Sequence, residues 1–156
     1  MNNGPDLHGW LPVIISKYPA EPVVEWCRFG TRRFTEPFFE TTVQNAMRDP
    51  FHLLFRHRTP LHTLIDWQHE SPGREPSGLI FHMSRCGSTL VSQMLAALPE
   101  HLVLSEPPPL DALLRTDRHG ATDDQRVAWV RAWVSAMSQP HQGEQRVFVK
   151  LDAWHI

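Results

Sequence analysis

The sequence has little cysteine and no excess of positive charge. Its two cysteines, Cys27 and Cys86, are too far apart to suggest a disulfide framework or a CxxC metal or redox motif. Lysine and arginine number 15 against 17 acidic residues, a net charge of −2, which excludes nucleic-acid binding by the surface as a whole. We therefore expect a protein of the reducing cytoplasm with no nucleic-acid partner.

Long hydrophobic runs and low-complexity segments are also missing. No stretch approaches the roughly 18 apolar residues that a membrane span needs, and the N-terminus lacks the basic and apolar regions of a signal peptide. We expect neither export nor membrane insertion. The chain of 156 residues is 41% hydrophobic and 21% charged, which is the composition of about one globular domain rather than of a disordered segment.

Turn-forming residues divide the chain in two. Residues 71–78 read SPGREPSG, and this segment predicts a boundary between residues 1–72, which are rich in aromatic residues and histidine, and residues 73–156. The first part is predicted to be small and mainly helical. Its two expected helices begin at Thr35 and at Thr59-Pro60, and their apolar faces hold Phe39, Val43 and Ala46, and Leu61, Leu64 and Ile65.

The second part has the pattern of an α/β fold. Residues 79–83 (LIFHM) form a nearly continuous apolar run, typical of a strand buried on both faces of a parallel sheet. Residues 102–104 and 147–149 are two further short strands, and helical patterns lie between the strands. Thr122 and Gln125 can form a capping box at the start of the last of these helices. The order predicts a doubly wound parallel sheet with flanking helices, incomplete because few residues follow the third strand. Its uncovered edge is expected to favour self-association.

Residues 84–89 (SRCGST) lie where the first strand turns into a helix, and such a turn directs backbone N–H groups and the helix dipole at one point. Gly87 allows close approach of a phosphate, Ser88 and Thr89 offer hydroxyl donors, and the Arg85 guanidinium suits phosphate oxygens. An anion site is therefore predicted here. The alternative is a plain helix cap with Arg85 in solvent.

Two common phosphate motifs do not fit this loop. The triphosphate motif GxxxxGK[ST] needs Lys before its Ser or Thr, but Gly87 precedes Ser88, and His82 stands where the first glycine belongs. A kinase is thus a weak alternative. A cysteine phosphatase needs an arginine where Ser92 stands, and no basic partner is placed to hold a thiolate, so the Cys86 thiol is expected to be a small packing group.

The loop within FHMSRCGSTL, followed by LSEP at residues 104–107, resembles the start of a P-loop sulfotransferase domain. These enzymes move a sulfuryl group from 3′-phosphoadenosine 5′-phosphosulfate (PAPS) to a hydroxyl or amine. The resemblance covers about residues 78–155. It implies that Arg85, Gly87, Ser88 and Thr89 hold the donor's 5′-phosphosulfate without a metal, and Cys86 stands where many relatives have serine.

Two charged residues follow predicted strands at the edge where open α/β sheets bind ligands. Glu106 resembles the catalytic base of the protein-tyrosine branch of the family, although it can instead cap the following proline-rich segment or pair with Arg115. Lys150 is a candidate for contact with the donor or the sulfuryl oxygens, with a solvated strand end as the alternative. Asp152 lies at the same edge, and His155 is expected at the surface.

Other residues give weaker signals. His52, His57 and His62 recur every five residues, which spreads them over different faces of a helix, and no metal site is expected. Several rings can wall an acceptor pocket or fill a core. They are Trp10, Trp26, Phe34, Phe38, Phe39, Phe51, Phe55 and Trp67.

The resemblance makes a PAPS-dependent sulfotransferase, as a fragment of a longer enzyme, the first hypothesis. The second is a non-catalytic nucleotide- or anion-binding remnant, since family members hold the donor's 3′-phosphate with an arginine and a serine downstream of the third strand. With only half of that site, residues 1–156 are expected to bind adenosine phosphates weakly, to discriminate poorly among them, and to transfer no measurable sulfuryl group.

Overall fold

A three-stranded antiparallel sheet opens the chain in the computed structural model, which describes residues 5–17, 22–115, 121–140 and 142–155. The strands are β1 (Trp10–Lys17), β2 (Pro22–Arg28) and β3 (His57–Pro60), in the order β1-β2-β3. Helices α1 (Phe39–Met47) and α2 (Pro50–Leu54) precede β3, and α3 (His62–Glu70) follows it.

The prediction of a mainly helical first part is therefore wrong. Strand β1 lacks the alternation of apolar and polar residues that predicts a strand, because its register shifts between Pro12 and Ile14. Such a bulge buries successive residues. The apolar faces of α1 and α3 are confirmed, but their starts are not. Thr59 lies in β3 and accepts a hydrogen bond from Trp26 Nε1 at 2.9 Å, so its hydroxyl serves the sheet rather than a helix cap.

The second part contains the parallel sheet that the sequence predicts. Strands β4 (Gly78–Ile80), β5 (His101–Ser105) and β6 (Arg146–Lys150) have the order β4-β6-β5 and are all parallel. The accompanying helices are α4 (Ser88–Ala96), α5 (Pro108–Leu114) and α6 (Asp123–Met137). Thr122 and Gln125 form the predicted capping box at the start of α6. Within the described ranges the chain is thus a mixed α/β fold with six helices and two small sheets.

The first parallel strand is shorter and more exposed than its sequence suggests. Strand β4 ends at Ile80, Leu79 is 53% exposed and Met83 is 74% exposed. The prediction of a strand buried on both faces is therefore wrong. The reason is position: β4 lies at the edge of its sheet, and the apolar side chains of Leu90 and Met94 on α4 are exposed as well. The apolar run predicts a strand, but it does not show whether another element of the fold covers that strand.

A single buried cluster of apolar residues extends through both parts of the chain. Helix α6 connects them, because Trp133 Nε1 donates to Pro12 O in β1 at 2.9 Å. The turn before β4 packs closely on the same helix: a Cβ on Gly73 would lie 1.9 Å from Ser135 O, which only glycine avoids. No helix among the described residues is long and apolar enough to cross a membrane.

The segment between β2 and α1 contacts the second part of the chain at two places, the end of α4 and the end of β6. Arg33 donates from one guanidinium nitrogen to Leu98 O at 2.8 Å and to Ala96 O at 3.3 Å, which satisfies carbonyl groups at the end of α4. Farther along, the Phe38 ring centroid lies 5.8 Å from Lys150 Nζ at the end of β6. The first part of the chain therefore contributes to the region where the parallel strands end.

Candidate functional site

The loop between β4 and α4 has an unusual backbone. Among the described residues, Arg85 (φ 59°) and Glu106 (φ 51°) are the non-glycine residues with positive φ, a conformation disfavoured for L-residues. Gly87 is also left-handed, with φ 85°, and precedes the first residue of α4, Ser88. Left-handed non-glycine residues concentrate at functional sites. The strained residues belong to two different loops that line one cavity.

That cavity has a volume of about 280 Å³ and lies at the carboxyl edge of the parallel sheet. The four residues that the resemblance implicates in donor binding, Arg85, Gly87, Ser88 and Thr89, line it together with Cys86 and Glu106. The remaining lining residues are Phe38, His82, Ser84, Asp152, Ala153 and Trp154. The sheet order explains the convergence, because parallel strands place their carboxyl ends on one edge.

The Cys86 thiol is exposed, so the expectation of a small packing residue is wrong. Interaction with the backbone N–H of Ser88 lowers the pKa of Cys86. Desolvation opposes this effect, and the Ser88 side chain and other loop N–H groups add to it. The loop therefore stabilises negative charge at its own sulfur atom. The same groups that favour a thiolate favour a bound anion.

Glu106 forms an ion pair with Lys150, through its Oε1 and the lysine Nζ. Lys150 is fully buried and is not among the residues that line the cavity. In the register of the sheet, Lys150 lies between Ile80 and Ser105, and the Glu106 N–H donates to Lys150 O at 2.9 Å. These contacts direct the carboxylate of Glu106 toward the ammonium group.

Both structural alternatives for Glu106 are wrong. Helix α5 begins after Pro107 with no side-chain hydrogen bond at its cap, and Arg115 pairs with Asp111 at 2.7 Å instead. The alternative for Lys150 is wrong too, because its ammonium is buried rather than solvated. A buried charge of this kind requires a partner, and Glu106 supplies it.

His82 is a residue of the site that no sequence motif indicated. Its Nδ1 lies 3.1 Å from Met83 O, so Nδ1 carries a proton and donates to that carbonyl. Its buried Nε2 lies 3.3 Å from Glu106 Oε1 but is not aligned for a hydrogen bond. The signal available in the sequence was its position directly after the first parallel strand, on the edge that also holds Glu106.

Asp152 adds a second carboxylate to the cavity wall. Burial raises the pKa of Asp152, and the nearby charge of Glu106 raises it further, while His155 and His82 act in the opposite direction with smaller effect. The folded chain therefore favours the protonated form of this carboxyl group more than an unfolded chain does.

Replacing Asp152 with asparagine is expected to stabilise the fold at neutral pH. Because the folded-state pKa is raised, the favourable contribution of the protonated group is complete below the unfolded pKa and is lost as pH rises through the folded pKa. Asparagine stays neutral, so the gain in melting temperature should shrink as pH falls toward 3.8, the ordinary aspartate value. Thermal unfolding across pH measures this, with exposed Asp66→Asn as the control. A constant gain at every pH would contradict it.

A hydrogen-bonded network adjoins the cavity on the side of α5. Asp111 Oδ1 accepts from Trp154 Nε1 at 3.0 Å, from His155 Nε2 at 3.0 Å and from Arg115 Nε at 2.7 Å. Burial tends to raise the pKa of Asp111, but these three donors together outweigh it and the pKa is lowered. His155, expected at the surface, has a side chain only 9% exposed.

Asp111, Asp152 and His155 bring three potential metal ligands within 4.8 Å of one another. The two nitrogen atoms of His155 are already engaged, because Nδ1 accepts from the Asp152 N–H at 3.3 Å while Nε2 donates to Asp111. A ligating histidine needs a free lone pair. The cluster therefore serves as a hydrogen-bonded support for the segment after β6.

The aromatic residues divide between the core and the cavity. Of the eight rings that the sequence offers as a pocket wall, Phe38 lines the cavity. The buried apolar cluster instead contains Trp26, Phe34, Phe39 and Trp67. Trp154, which was not among the rings predicted from the sequence, also lines the cavity.

No protein-family model, no curated protein and no solved structure matches the chain.

Proposed function

We propose that the chain belongs to a sulfotransferase that moves a sulfuryl group from PAPS to a hydroxyl or amine. The carrying observation is that an anion-stabilising loop and an ion-paired carboxylate line one cavity. The resemblance of residues 84–89 and 104–107 to sulfotransferases supplies the identity of the anion. A strand-loop-helix alone suits many anions, so the carboxylate is what favours transfer over binding.

The loop is suited to the 5′-phosphosulfate of the donor. Helix α4 presents its first-turn N–H groups there, and Ser88 and Thr89 add hydroxyl donors. Arg85 lines the same cavity, and its planar guanidinium binds two oxygens at once. Gly87, with positive φ and no atom within 4 Å of a hypothetical Cβ, leaves room for close approach of the donor.

The reaction would break one S–O bond and form another. The acceptor oxygen attacks sulfur in line with the leaving phosphate oxygen, adenosine 3′,5′-bisphosphate departs, and the proton of the acceptor passes to a base. Glu106 is the candidate base, since it lines the cavity. Lys150 is buried behind it, so its role in this proposal is to hold and neutralise Glu106 rather than to contact the donor.

The test is a titration of the chain with adenosine 3′,5′-bisphosphate, followed by amide chemical shifts, which detect weak binding. Shift changes are expected at residues 84–89. The binding affinity is expected to fall about tenfold in Arg85→Ala, because a charge-assisted hydrogen bond is lost. Exposed Arg74→Ala, outside the cavity, is the matched control and should leave binding unchanged.

Two results would reject the proposal or redirect it. Absence of shift changes in the loop, or equal affinity in Arg85→Ala and Arg74→Ala, would reject donor binding. Binding without sulfuryl transfer from PAPS to any of a panel of phenols, alcohols and amines, when tested in the natural full-length product, would favour the non-catalytic binding role.

A further inference from the structure

We infer that Trp154 is the surface against which the ligand of this cavity stacks a planar ring, and that Asp111 positions the indole for that contact. The inference rests on the proposed function for the anionic part of the ligand. Trp154 lines the cavity and is 62% exposed. Aromatic side chains contribute most when their faces are covered by another ring, and stacking on them tolerates many kinds of ring.

The exposed indole is held in place by the network on α5. Its Nε1 donates to Asp111 Oδ1, and the guanidinium carbon of Arg115 lies 5.4 Å from the ring centroid. Arg115 and His155 both bind the same carboxylate oxygen, so Asp111 is itself fixed. A ring that is already ordered loses little conformational entropy when a ligand binds. Asp111 therefore acts through Trp154, as a positioning residue.

The surroundings indicate which ligand fits. Phe38, which is 43% exposed, adds a second aromatic surface to the cavity, and Glu106 and Asp152 add carboxylates. The loop with Arg85 favours an anionic group, whereas the faces of Trp154 and Phe38 favour an uncharged planar ring. The ligand class is thus an uncharged planar ring with an anionic group that reaches the loop. The ring can be the donor's adenine or an aromatic ring of the acceptor, next to the bound donor.

The experiment uses the full chain labelled with 5-fluorotryptophan, with the Trp154 fluorine resonance assigned from Trp154→Phe. Three probes are titrated: adenosine 3′,5′-bisphosphate, p-nitrophenol alone and in its presence, and pyrophosphate as an anion without a ring. The Trp154 resonance is expected to move with a ring-containing probe and not with pyrophosphate. Trp129, packed against the core and outside the cavity lining, is the internal reference. A shift of the Trp154 resonance with the nucleotide identifies adenine as the stacked ring, and a shift with p-nitrophenol identifies the ring of the acceptor.

Variants test the role of Asp111. Asp111→Ala is expected to weaken binding of the ring-containing probe about tenfold, the scale of one stacked base, and to leave pyrophosphate binding unchanged. Asp111→Asn should restore part of the loss, because an amide oxygen still accepts from the indole N–H. Asp66→Ala, an exposed aspartate on α3, is the control.

Several outcomes would overturn the inference. Ring-containing probes that leave the Trp154 resonance unmoved would do so, as would an equal loss of pyrophosphate and ring binding in Asp111→Ala. If that variant fails to fold, the titrations of the unsubstituted chain still decide the role of Trp154. Failure of the proposed function is seen separately: no phosphate-bearing probe would then shift the loop residues 84–89, while p-nitrophenol alone still reports on Trp154.

Discussion

Replacing Glu106 with glutamine is expected to lower the free energy of unfolding by about 3 kcal/mol or more, the range for removing one partner of a buried ion pair. The substitution keeps the size of the side chain but leaves the fully buried ammonium of Lys150 without its carboxylate partner. The ring of Phe38, 5.8 Å away, compensates little of this cost. Urea unfolding measures the loss, and exposed Glu75→Gln is the control.

The ion pair also predicts an order among three variants. Lys150→Met should cost less than Glu106→Gln, because the Glu106 side chain is 22% exposed and water can solvate part of its charge. The double variant should be more stable than Glu106→Gln alone, since it removes the unpaired ammonium. Two results would contradict the pairing. One is a loss of unfolding free energy in Glu106→Gln within about 0.5 kcal/mol, which is typical of surface substitutions. The other is a loss in the double variant equal to the sum of the losses in the two single variants.

The features that the sequence predicted correctly are those set by neighbouring residues. Gly87 before Ser88 locates the start of α4, and Thr122 with Gln125 locates the start of α6, because caps are made within one helical turn. The apolar runs of β5 and β6 likewise identify strands by themselves. Local chemistry was thus enough to locate the loop that lines the cavity.

The features that escaped the sequence depend on contacts between distant residues. A lysine is buried at the end of β6 only because the order β4-β6-β5 brings Glu106, from another loop, beside it. The bond between Trp154 and Asp111 joins residues 43 positions apart. The sequence around Lys150 or Trp154 does not indicate which distant residue each side chain contacts. For the same reason the pairing of β1 with β2 was missed, and with it the mixed character of the first part of the chain.

Alkylation is expected to occur at Cys86 at least about a thousand times faster than at Cys27. Burial raises the pKa of Cys27 to about 12, so roughly one molecule in ten thousand carries that thiolate at pH 8. Interaction with the Ser88 N–H lowers the pKa of Cys86 from 9.0, so more than about one in ten carries that thiolate at the same pH. Cys86 is also exposed, whereas Cys27 is buried. Mass spectrometry after timed treatment with iodoacetamide measures both rates.

The same experiment tests whether the loop that stabilises the thiolate is the loop that binds an anion. Adenosine 3′,5′-bisphosphate should slow alkylation of Cys86, because a bound phosphate competes for the N–H groups and repels the thiolate. The rate should rise with pH and level off at a lower pH than for free cysteine, since the pKa of Cys86 is lowered. Adenosine, which has no phosphate, is the control and should not protect. Equal rates at Cys86 with and without the bisphosphate at saturating concentration would separate the two properties, leaving the loop a stabiliser of its own sulfur and not a donor site.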